Sequence, residues 1–180
     1  MIFEPFSPFV PSGFQIKFAV DPWEKAAACA LRRQVFCEEQ GVFSGDDRDE
    51  TDDVAIPIVA VSLVGVAADT VVGTVRIHEA EPGLWWGSRL AVGAEYRRIG
   101  ALGSGLIRLA VSSAHARGCT RFLANVQSRN ALLFRRLHWT TVETFDLYGR
   151  LHHRMEADLS YYPPFATPEE GFLSLARKAA

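Results

Sequence analysis

The stretch that decides the fold is LAVGAEYRRIGALGSGLIRLAVSSAHARG, residues 90–118. Its glycines at 100, 103 and 105 need a reason, because glycine costs about 0.5–1 kcal/mol inside a helix relative to alanine. One reason is a ligand. Where a strand passes into a helix through a glycine-rich turn, unpaired N–H groups form a concave site for phosphate oxygens. The alternative is a structural turn in which glycine permits close packing of the helix.

Arg97 and Arg98 stand beside this turn, and guanidinium groups match the geometry of phosphate well. The glycine spacing GxxGxG is neither the GxGxxG of dinucleotide folds nor the GxxxxGK[ST] of P-loops. The stretch therefore predicts a pyrophosphate site outside those two fold types.

Outward from this stretch, helical and strand patterns alternate. In DPWEKAAACALRRQVF, Asp21 is placed to cap a helix, Pro22 fits its first position, and Glu24 completes a capping box. The runs IPIVAVSLVGVA, TVVGTVRIHEA and LWWGSRLAV predict a meander of antiparallel strands. After a helix over 103–116 capped by Gly118, TRFLANV predicts a strand, ALLFRRLHW a short helix and VETFDLYGRLHHRMEADL a hairpin. This order predicts a mixed α/β (α+β) fold, with a central, mostly antiparallel sheet flanked by helices.

The two ends of the chain carry their own patterns. Residues 1–15 repeat Phe and Pro every three positions, which predicts an extended arm. Residues 161–180 predict a tail with a short helix, because Thr167, Pro168 and Glu170 repeat the capping pattern. The acidic run GDDRDETDD, residues 45–53, is predicted to be a solvated loop, with attraction of a cationic substrate as the alternative.

Composition excludes several classes of protein. The 180 residues, 48% of them hydrophobic, fit one compact domain, and the net charge of −2 gives no basic field for nucleic acid. Three cysteines without a CxxC pair suggest neither a disulfide framework nor a metal site. The start of the chain lacks the basic residues of a signal peptide, and no run of 18 apolar residues occurs. We expect a cytoplasmic protein that does not enter a membrane.

Several segments together resemble one family. Residues 90–118 resemble the acyl-CoA pyrophosphate motif of the GNAT N-acetyltransferases, in which LAVxxxYR precedes G-x-G and a helix. ACALRRQVFCEEQGV is similar to the first helix and turn of a GNAT subgroup bearing VFxxEQGV, and VQSRNALLFRRLHW resembles the segment that usually ends in FYxxLGF. Gly149, His152 and Met155 match a late G-x-x-H-x-x-M of that subgroup. The resemblance spans about residues 16–156.

This resemblance implies the GNAT fold, an acyl-CoA N-acyltransferase domain over residues 16–160, and acetyl transfer from acetyl-CoA to the amine of a small molecule. It implies that one strand offers backbone groups to the pantetheine arm while the turn binds the pyrophosphate. The implied coenzyme-binding residues are Leu90, Ala91, Val92, Arg97, Arg98, Gly100, Leu102, Gly103, Ser104, Gly105 and Gln127.

The chain departs from the family pattern in two places. The turn is one residue longer than the usual RxxGxG spacing, so either Arg97 or Arg98 is the leading arginine. Phe134 stands where many members carry a tyrosine that protonates the departing thiolate, and a phenyl ring has no proton to donate. The exposed arginines of the following helix are expected to be solvated, with phosphate contact as the alternative.

Acyl transfer to an amine requires a base, because an amine with a pKa near 10 is mostly protonated at neutral pH. Glu79 is the first candidate, His152 the second and His78 the third. His78 and Glu79 point to opposite faces of one strand, so only one of them can face the site. Tyr148 is a further proton donor to consider.

Two other side-chain types affect the mechanism. The side chains of Trp85 and Trp86 must also point to opposite faces of their strand, one towards the core and one towards an acceptor pocket. Cys119 has no visible base partner, which favours direct transfer in a ternary complex over an acyl-enzyme.

Two other functions stay open. LRRQVF also resembles the first helix of acyl-homoserine-lactone synthases, and Phe134 favours a non-catalytic acyl-CoA-binding module. The expected partner is a small-molecule amine, with no nucleic acid and no membrane. The Phe/Pro arm and YYPPF (161–165) could serve a homodimer.

Overall fold

Eight strands form the sheet that organises the molecule. The computed structural model describes residue 11 and residues 13–176. In space the strands follow the order β6-β7-β5-β4-β3-β2-β1-β8. They are β1 (Gly13–Phe18), β2 (Ile56–Val64), β3 (Ala67–Glu81), β4 (Leu84–Val92), β5 (Arg121–Gln127), β6 (Trp139–Leu147), β7 (Arg150–Ala157) and β8 (Phe172–Leu175). Within this described sheet β4 and β5 run parallel and the other neighbours are antiparallel, which confirms the predicted mixed sheet.

Helices cover both faces of the sheet. They are α1 (Pro22–Arg33), α2 (Gly100–Ala116) and α3 (Ala131–Arg136). The start of α1 is the predicted capping box, since the Asp21 N–H donates to Glu24 Oε2 at 3.1 Å. A π-helical turn, Gln34–Glu39, continues α1 towards the site.

Each face buries its own apolar cluster. Under α1 the cluster is Ala19, Ala28, Leu31, Val35, Phe36, Val59, Val61, Val71 and Ala91. On the other face α2 and α3 pack on a larger cluster that includes Phe14, Ile16, Ile58, Ile77 and Phe122. Removal of this apolar surface from water is the main force holding the helices to the sheet.

The parallel strands β4 and β5 separate halfway along their length. Their ladder pairs Leu84–Gly87 with Arg121–Ala124 and ends there. On the other side of β4, Thr74 pairs with Ala91 but Arg76 pairs with Ser88, so β4 contains a bulge at Arg89 and Leu90. Arg89 takes a left-handed conformation with φ 56°. Beyond Gly87 the sheet therefore has a gap in its middle.

Gly105 is explained by packing. A Cβ built on Gly105 would lie 2.3 Å from Ile16 Cδ1, so only glycine lets α2 lie this close to β1. A Cβ on Gly100 would meet nothing within 4 Å, and one on Gly103 would first meet Leu133 at 3.9 Å. The packing explanation thus holds for one glycine of the motif, and two remain open to a ligand.

The short C-terminal helix predicted within residues 161–180 is wrong for the described part of that segment. Residues 167–171 form a turn in which the Gly171 N–H donates to the Thr167 carbonyl at 2.9 Å. Gly171 has φ 64° and its Cα lies against the backbone of Ile16, where no side chain fits. The chain then pairs with the edge of β1 as β8, so a non-local ladder replaces the local capping pattern.

The predicted arm, residues 1–15, lies mostly outside the described residues, and residues 13–15 belong to β1. None of the helices in the described part of the chain is long and apolar enough to cross a lipid bilayer.

Candidate active site

A cavity of about 270 Å³ opens at the gap between β4 and β5. Side chains alternate between the two faces of a strand, and the lining residues come from both faces of the sheet. The cavity therefore passes through the sheet, with one wall on the α2 face and the other on the α1 face.

The wall on the α2 face is apolar. It is formed by Ile107 and Val111 of α2, Phe122 of β5, Phe134 of α3 and Trp139. The rings of Phe134 and Trp139 lie edge to face with centroids 5.0 Å apart. At Phe134 this wall thus offers a hydrocarbon surface and no proton.

The wall on the α1 face is polar and partly aromatic. Trp86 lines it while Trp85 is buried in the core, which confirms the expected split of this pair. Tyr148 lines it from the β6–β7 turn, where its ring packs against Phe43 with centroids 4.9 Å apart. This wall has the character expected for an acceptor pocket.

His152 is the best-placed base on the polar wall. It lies on β7 opposite Gln127 of β5, is buried and lines the cavity. Its Nδ1 lies 2.8 Å from the Arg150 carbonyl oxygen, which can only accept, so Nδ1 carries the proton. Within the described residues Nε2 has no hydrogen-bond partner. Nε2 therefore presents a lone pair that can take a proton.

His78 lines the same wall but is held differently. Its Nδ1 is buried without a partner in the described structure. Burial, together with the nearby Arg76 guanidinium, lowers the pKa of His78 below its usual value. The ring is therefore neutral at pH 7.

Glu79 does not reach the cavity. It is exposed, and its Oε1 accepts a hydrogen bond from the Gly83 N–H at 2.8 Å in the β3–β4 turn. The residues that line the cavity include His78 but not Glu79. The structure thus brings His152 and His78 to the same cavity and leaves Glu79 outside it, at the β3–β4 turn.

The start of α2 has the features of a phosphate site. The N–H groups of Gly100 and Ala101 have no hydrogen-bond partner in the described chain. Space is free in front of Gly100 and Gly103, as their open Cβ directions show. Helix N-terminal N–H groups with room in front of them bind phosphate oxygens.

The two arginines of this turn differ in their engagement. Arg97 Nε donates to the Val92 carbonyl at 2.9 Å, and its Nη2 lies 2.5 Å from Glu39 Oε2. Arg98 is exposed and makes no ion pair with any described residue. Arg97 is therefore tied to neighbouring elements, which leaves Arg98 free for a phosphate. Ser104 turns its hydroxyl back to the Gly100 carbonyl at 3.0 Å.

The remaining members of the implied coenzyme set divide by position. Leu90 and Gln127 line the cavity. The side chain of Ala91 is buried under α1, that of Leu102 is fully buried between α2 and the sheet, and Gly105 packs on β1, so any contact of these three with the coenzyme is through the backbone. Val92 lies half-buried on the α2 face beside the gap.

The acidic segment 45–53 is exposed over most of its length, as its composition predicts, but three of its aspartates are paired with arginines. Asp47, whose side chain is fully buried, accepts from Arg32 Nε at 2.7 Å and from Arg89 Nε at 3.0 Å. Asp49 lies 2.6 Å from Arg76 and 3.2 Å from Arg89. Asp52 lies 2.6 Å from Arg32 and 2.7 Å from Arg76. We call this closed ring of alternating charges the charge ring; its members are Arg32, Asp47, Arg89, Asp49, Arg76 and Asp52.

The charge ring fixes the ionisation of its carboxylates. The hydrogen bond from Arg76 lowers the pKa of Asp49. Burial alone would raise the pKa of Asp52, but hydrogen bonds from Arg32, the Asp49 N–H and Arg76 lower it well below its usual range. These aspartates remain charged at neutral pH and hold the segment against α1, β3 and β4.

Sequence reasoning missed Arg76 and Arg89, which belong to the charge ring and line the cavity. A signal for them existed. Arg76 interrupts the apolar run TVVGTVRIHEA, and a charge buried in a central strand requires a partner of opposite sign. The acidic segment was the candidate partner.

Comparison with known proteins agrees with this geometry. Residues 32–139 match the sequence profile of the acetyltransferase (GNAT) family. The search of curated proteins returned no match.

Solved structures share the fold. A protein from Lactobacillus plantarum assigned to the N-acetyltransferases has 24% sequence identity and a TM-score of 0.71, over 80% of this chain and 97% of that one. ElaA from Escherichia coli has 18% identity and a TM-score of 0.66, over 81% and 98% of the two chains. An aminoglycoside 6'-N-acetyltransferase complexed with coenzyme A has 13% identity and a TM-score of 0.62, over 78% and 94%.

Proposed function

Because the chain belongs to the GNAT family of acetyltransferases, we propose that it transfers an acetyl group from acetyl-CoA to the amine of a small molecule in a ternary complex. The enzyme is an acyltransferase by its family. The proposal adds the donor, the acceptor class, the order of events and a cytoplasmic location. The observation that supports it most directly is the cavity, which joins a polar wall carrying His152 to the gap beside the α2 turn.

The donor is expected to lie along the exposed edge of β4. The ladder with β5 ends at Gly87, so backbone groups of residues 88–92 that face the gap have no partner in β5. These groups suit the amides of an extended pantetheine arm, and the open N–H groups at Gly100 and Ala101 suit its pyrophosphate. In this proposed arrangement the thioester lies at the gap, where both walls of the cavity meet.

The chemistry then follows from the groups present. His152 Nε2 takes a proton from the acceptor ammonium, and the free amine attacks the thioester carbonyl. Backbone N–H groups at the gap stabilise the oxyanion, whose collapse breaks the C–S bond. The attacking nitrogen then gives up its second proton, and the departing thiolate takes up that proton to form the free thiol of coenzyme A. Because a thiol has a pKa near 8.5, its thiolate leaves without the help of an acid, and Phe134 is compatible with turnover.

A thiol-release assay with acetyl-CoA and a panel of amines, amino acids and aminoglycosides tests the proposal. His152→Ala is expected to lower kcat by about 10²–10⁴-fold, the usual contribution of a general base. Its binding of acetyl-CoA, measured by calorimetry, is expected to stay unchanged.

His153→Ala is the matched control. His153 is the next residue of β7 and faces the other side of the sheet, where its two ring nitrogens contact Ser128 and Thr141 at 3.2 Å. Equal losses of kcat in the two folded variants would remove His152 from the mechanism. Binding without thiol release would favour the non-catalytic module, and turnover only with acyl-carrier protein and S-adenosylmethionine would favour the homoserine-lactone-synthase-like alternative.

A further inference from the structure

The charges that face the cavity are of one sign. Arg76 and Arg89 line it, and no aspartate or glutamate is among the described residues that do. The nearest carboxylates, those of Asp47, Asp49 and Asp52, are each shared between two arginines of the charge ring. Asp47 Oδ1 has no hydrogen-bond partner in the described chain, but Asp47 is not among the residues that line the cavity. A polycationic acceptor in the cavity would therefore meet guanidinium groups and no carboxylate.

Arg89 has one nitrogen left over. Its Nε and Nη2 donate to the Asp47 carbonyl and to the carboxylates of Asp47 and Asp49 at 2.9–3.3 Å. Its Nη1 has no hydrogen-bond partner in the described chain and is not fully buried, and Arg89 is one of the residues that line the cavity. The guanidinium also lies 4.3 Å from the centre of the Phe43 ring, which fixes its plane. The side chain is thus held in place with one N–H edge unused.

Hydrogen-bond acceptors lie across the gap from Arg89. Gln127 Oε1 is buried in the cavity wall without a partner in the described chain, while its Nε2 donates to Gln40. His152 Nε2, on the strand paired with Gln127, is also an acceptor. Leaving a buried polar atom such as Gln127 Oε1 unpaired is costly, and an amine N–H would satisfy it.

We propose that the acceptor is an amine that also carries a carboxylate, in the manner of an amino acid. Its carboxylate binds Arg89 Nη1, and its amine lies between Gln127 Oε1 and His152 Nε2 on the other side of the gap. This assignment rests on the proposed acetyl transfer and names the class of acceptor for the same site.

The first experiment compares substrates of the wild-type protein. Amino acids are compared with their α-carboxamides, with spermidine and with an aminoglycoside, using thiol release from acetyl-CoA. We expect kcat/KM for the preferred amino acid to exceed that for its amide by about 10²-fold, because a charge-assisted hydrogen bond is lost in the amide.

The Arg89→Lys variant provides a second test, since it keeps the positive charge in the charge ring but removes Nη1. We expect KM for the amino acid to rise at least about tenfold while KM for acetyl-CoA stays constant. Arg121→Lys, which alters an exposed pair with Glu156, is the matched control and is expected to change neither constant.

The outcomes separate the two proposals. Thiol release that prefers amides, spermidine or the aminoglycoside overturns the carboxylate assignment and leaves acetyl transfer standing. An unchanged KM for the amino acid in folded Arg89→Lys also overturns it. Absence of thiol release with every amine, together with absence of acetyl-CoA binding, overturns acetyl transfer itself and the assignment with it.

Discussion

Replacing Gly105 with alanine separates the packing glycine of the motif from those that face a ligand. The new Cβ would lie 2.3 Å from Ile16 Cδ1, whereas carbon atoms prefer about 3.5–4.0 Å. Ile16 is fully buried and has no solvent to move into. Overpacking of this kind costs about 1–3 kcal/mol, and the better helix propensity of alanine offsets about 1 kcal/mol. We expect a net loss of about 0–2 kcal/mol of unfolding free energy.

Gly103→Ala is the matched variant in the same helix. Its Cβ would first meet Leu133 at 3.9 Å, an ordinary contact, so the propensity gain of up to about 1 kcal/mol should remain. Urea unfolding with unchanged m-values should place Gly105→Ala about 1–3 kcal/mol below Gly103→Ala. If the proposed pyrophosphate site is correct, acetyl-CoA affinity should show the reverse order, since the methyl group on Gly103 would fill space proposed for the pyrophosphate. The packing argument fails if the two variants unfold at the same urea concentration.

Three further changes are diagnostic. The pKa of Asp52 is lower in the folded than in the unfolded chain, so the stability it contributes is present above about pH 4 and is lost as pH falls below that value. Asp52→Asn should flatten the acid limb of the stability–pH curve measured by urea unfolding, and exposed Asp53→Asn should leave it unchanged. Burial raises the pKa of Cys119 to about 11. Folded Cys119→Ala should therefore keep kcat within about twofold, and intact-mass spectra of wild type with acetyl-CoA should show no acylated protein; an acyl adduct there would refute direct transfer. Arg98→Ala should raise KM for acetyl-CoA by about tenfold, which corresponds to the loss of one charge-assisted hydrogen bond. Arg97→Ala should lower the thermal unfolding temperature and leave KM for acetyl-CoA nearly unchanged.

Features that depend on residues a few positions apart in the chain were predicted correctly from the sequence. The capping box of Asp21 and Glu24 formed, and Gly118 ends α2 with φ 89°. The three strands of the meander formed, because alternation and turn residues act over a few positions. The family resemblance was confirmed for the same reason, since its motifs are local.

The features that could not be predicted depend on contacts between residues far apart in the sequence. Asp47 is buried because Arg32 and Arg89 approach it from α1 and β4, a geometry that the run of acidic letters does not contain. The last strand forms because the edge of β1 is free to pair, which outweighs a local capping signal. Strand alternation placed His78 and Glu79 on opposite faces but could not tell which face holds the cavity.

The charge ring has a consequence for how this chain can evolve. Each aspartate bridges two arginines, so losing any one side chain leaves its two neighbours in the ring without one partner each, and the cost is highest around the buried side chains of Arg32, Asp47 and Arg76. Single replacements are then harmful while matched sets are tolerable, which makes the effects of these positions strongly non-additive. The six residues, spread over four segments, should therefore change together or not at all, and the same constraint limits sequence change in the cavity wall that Arg76 and Arg89 line.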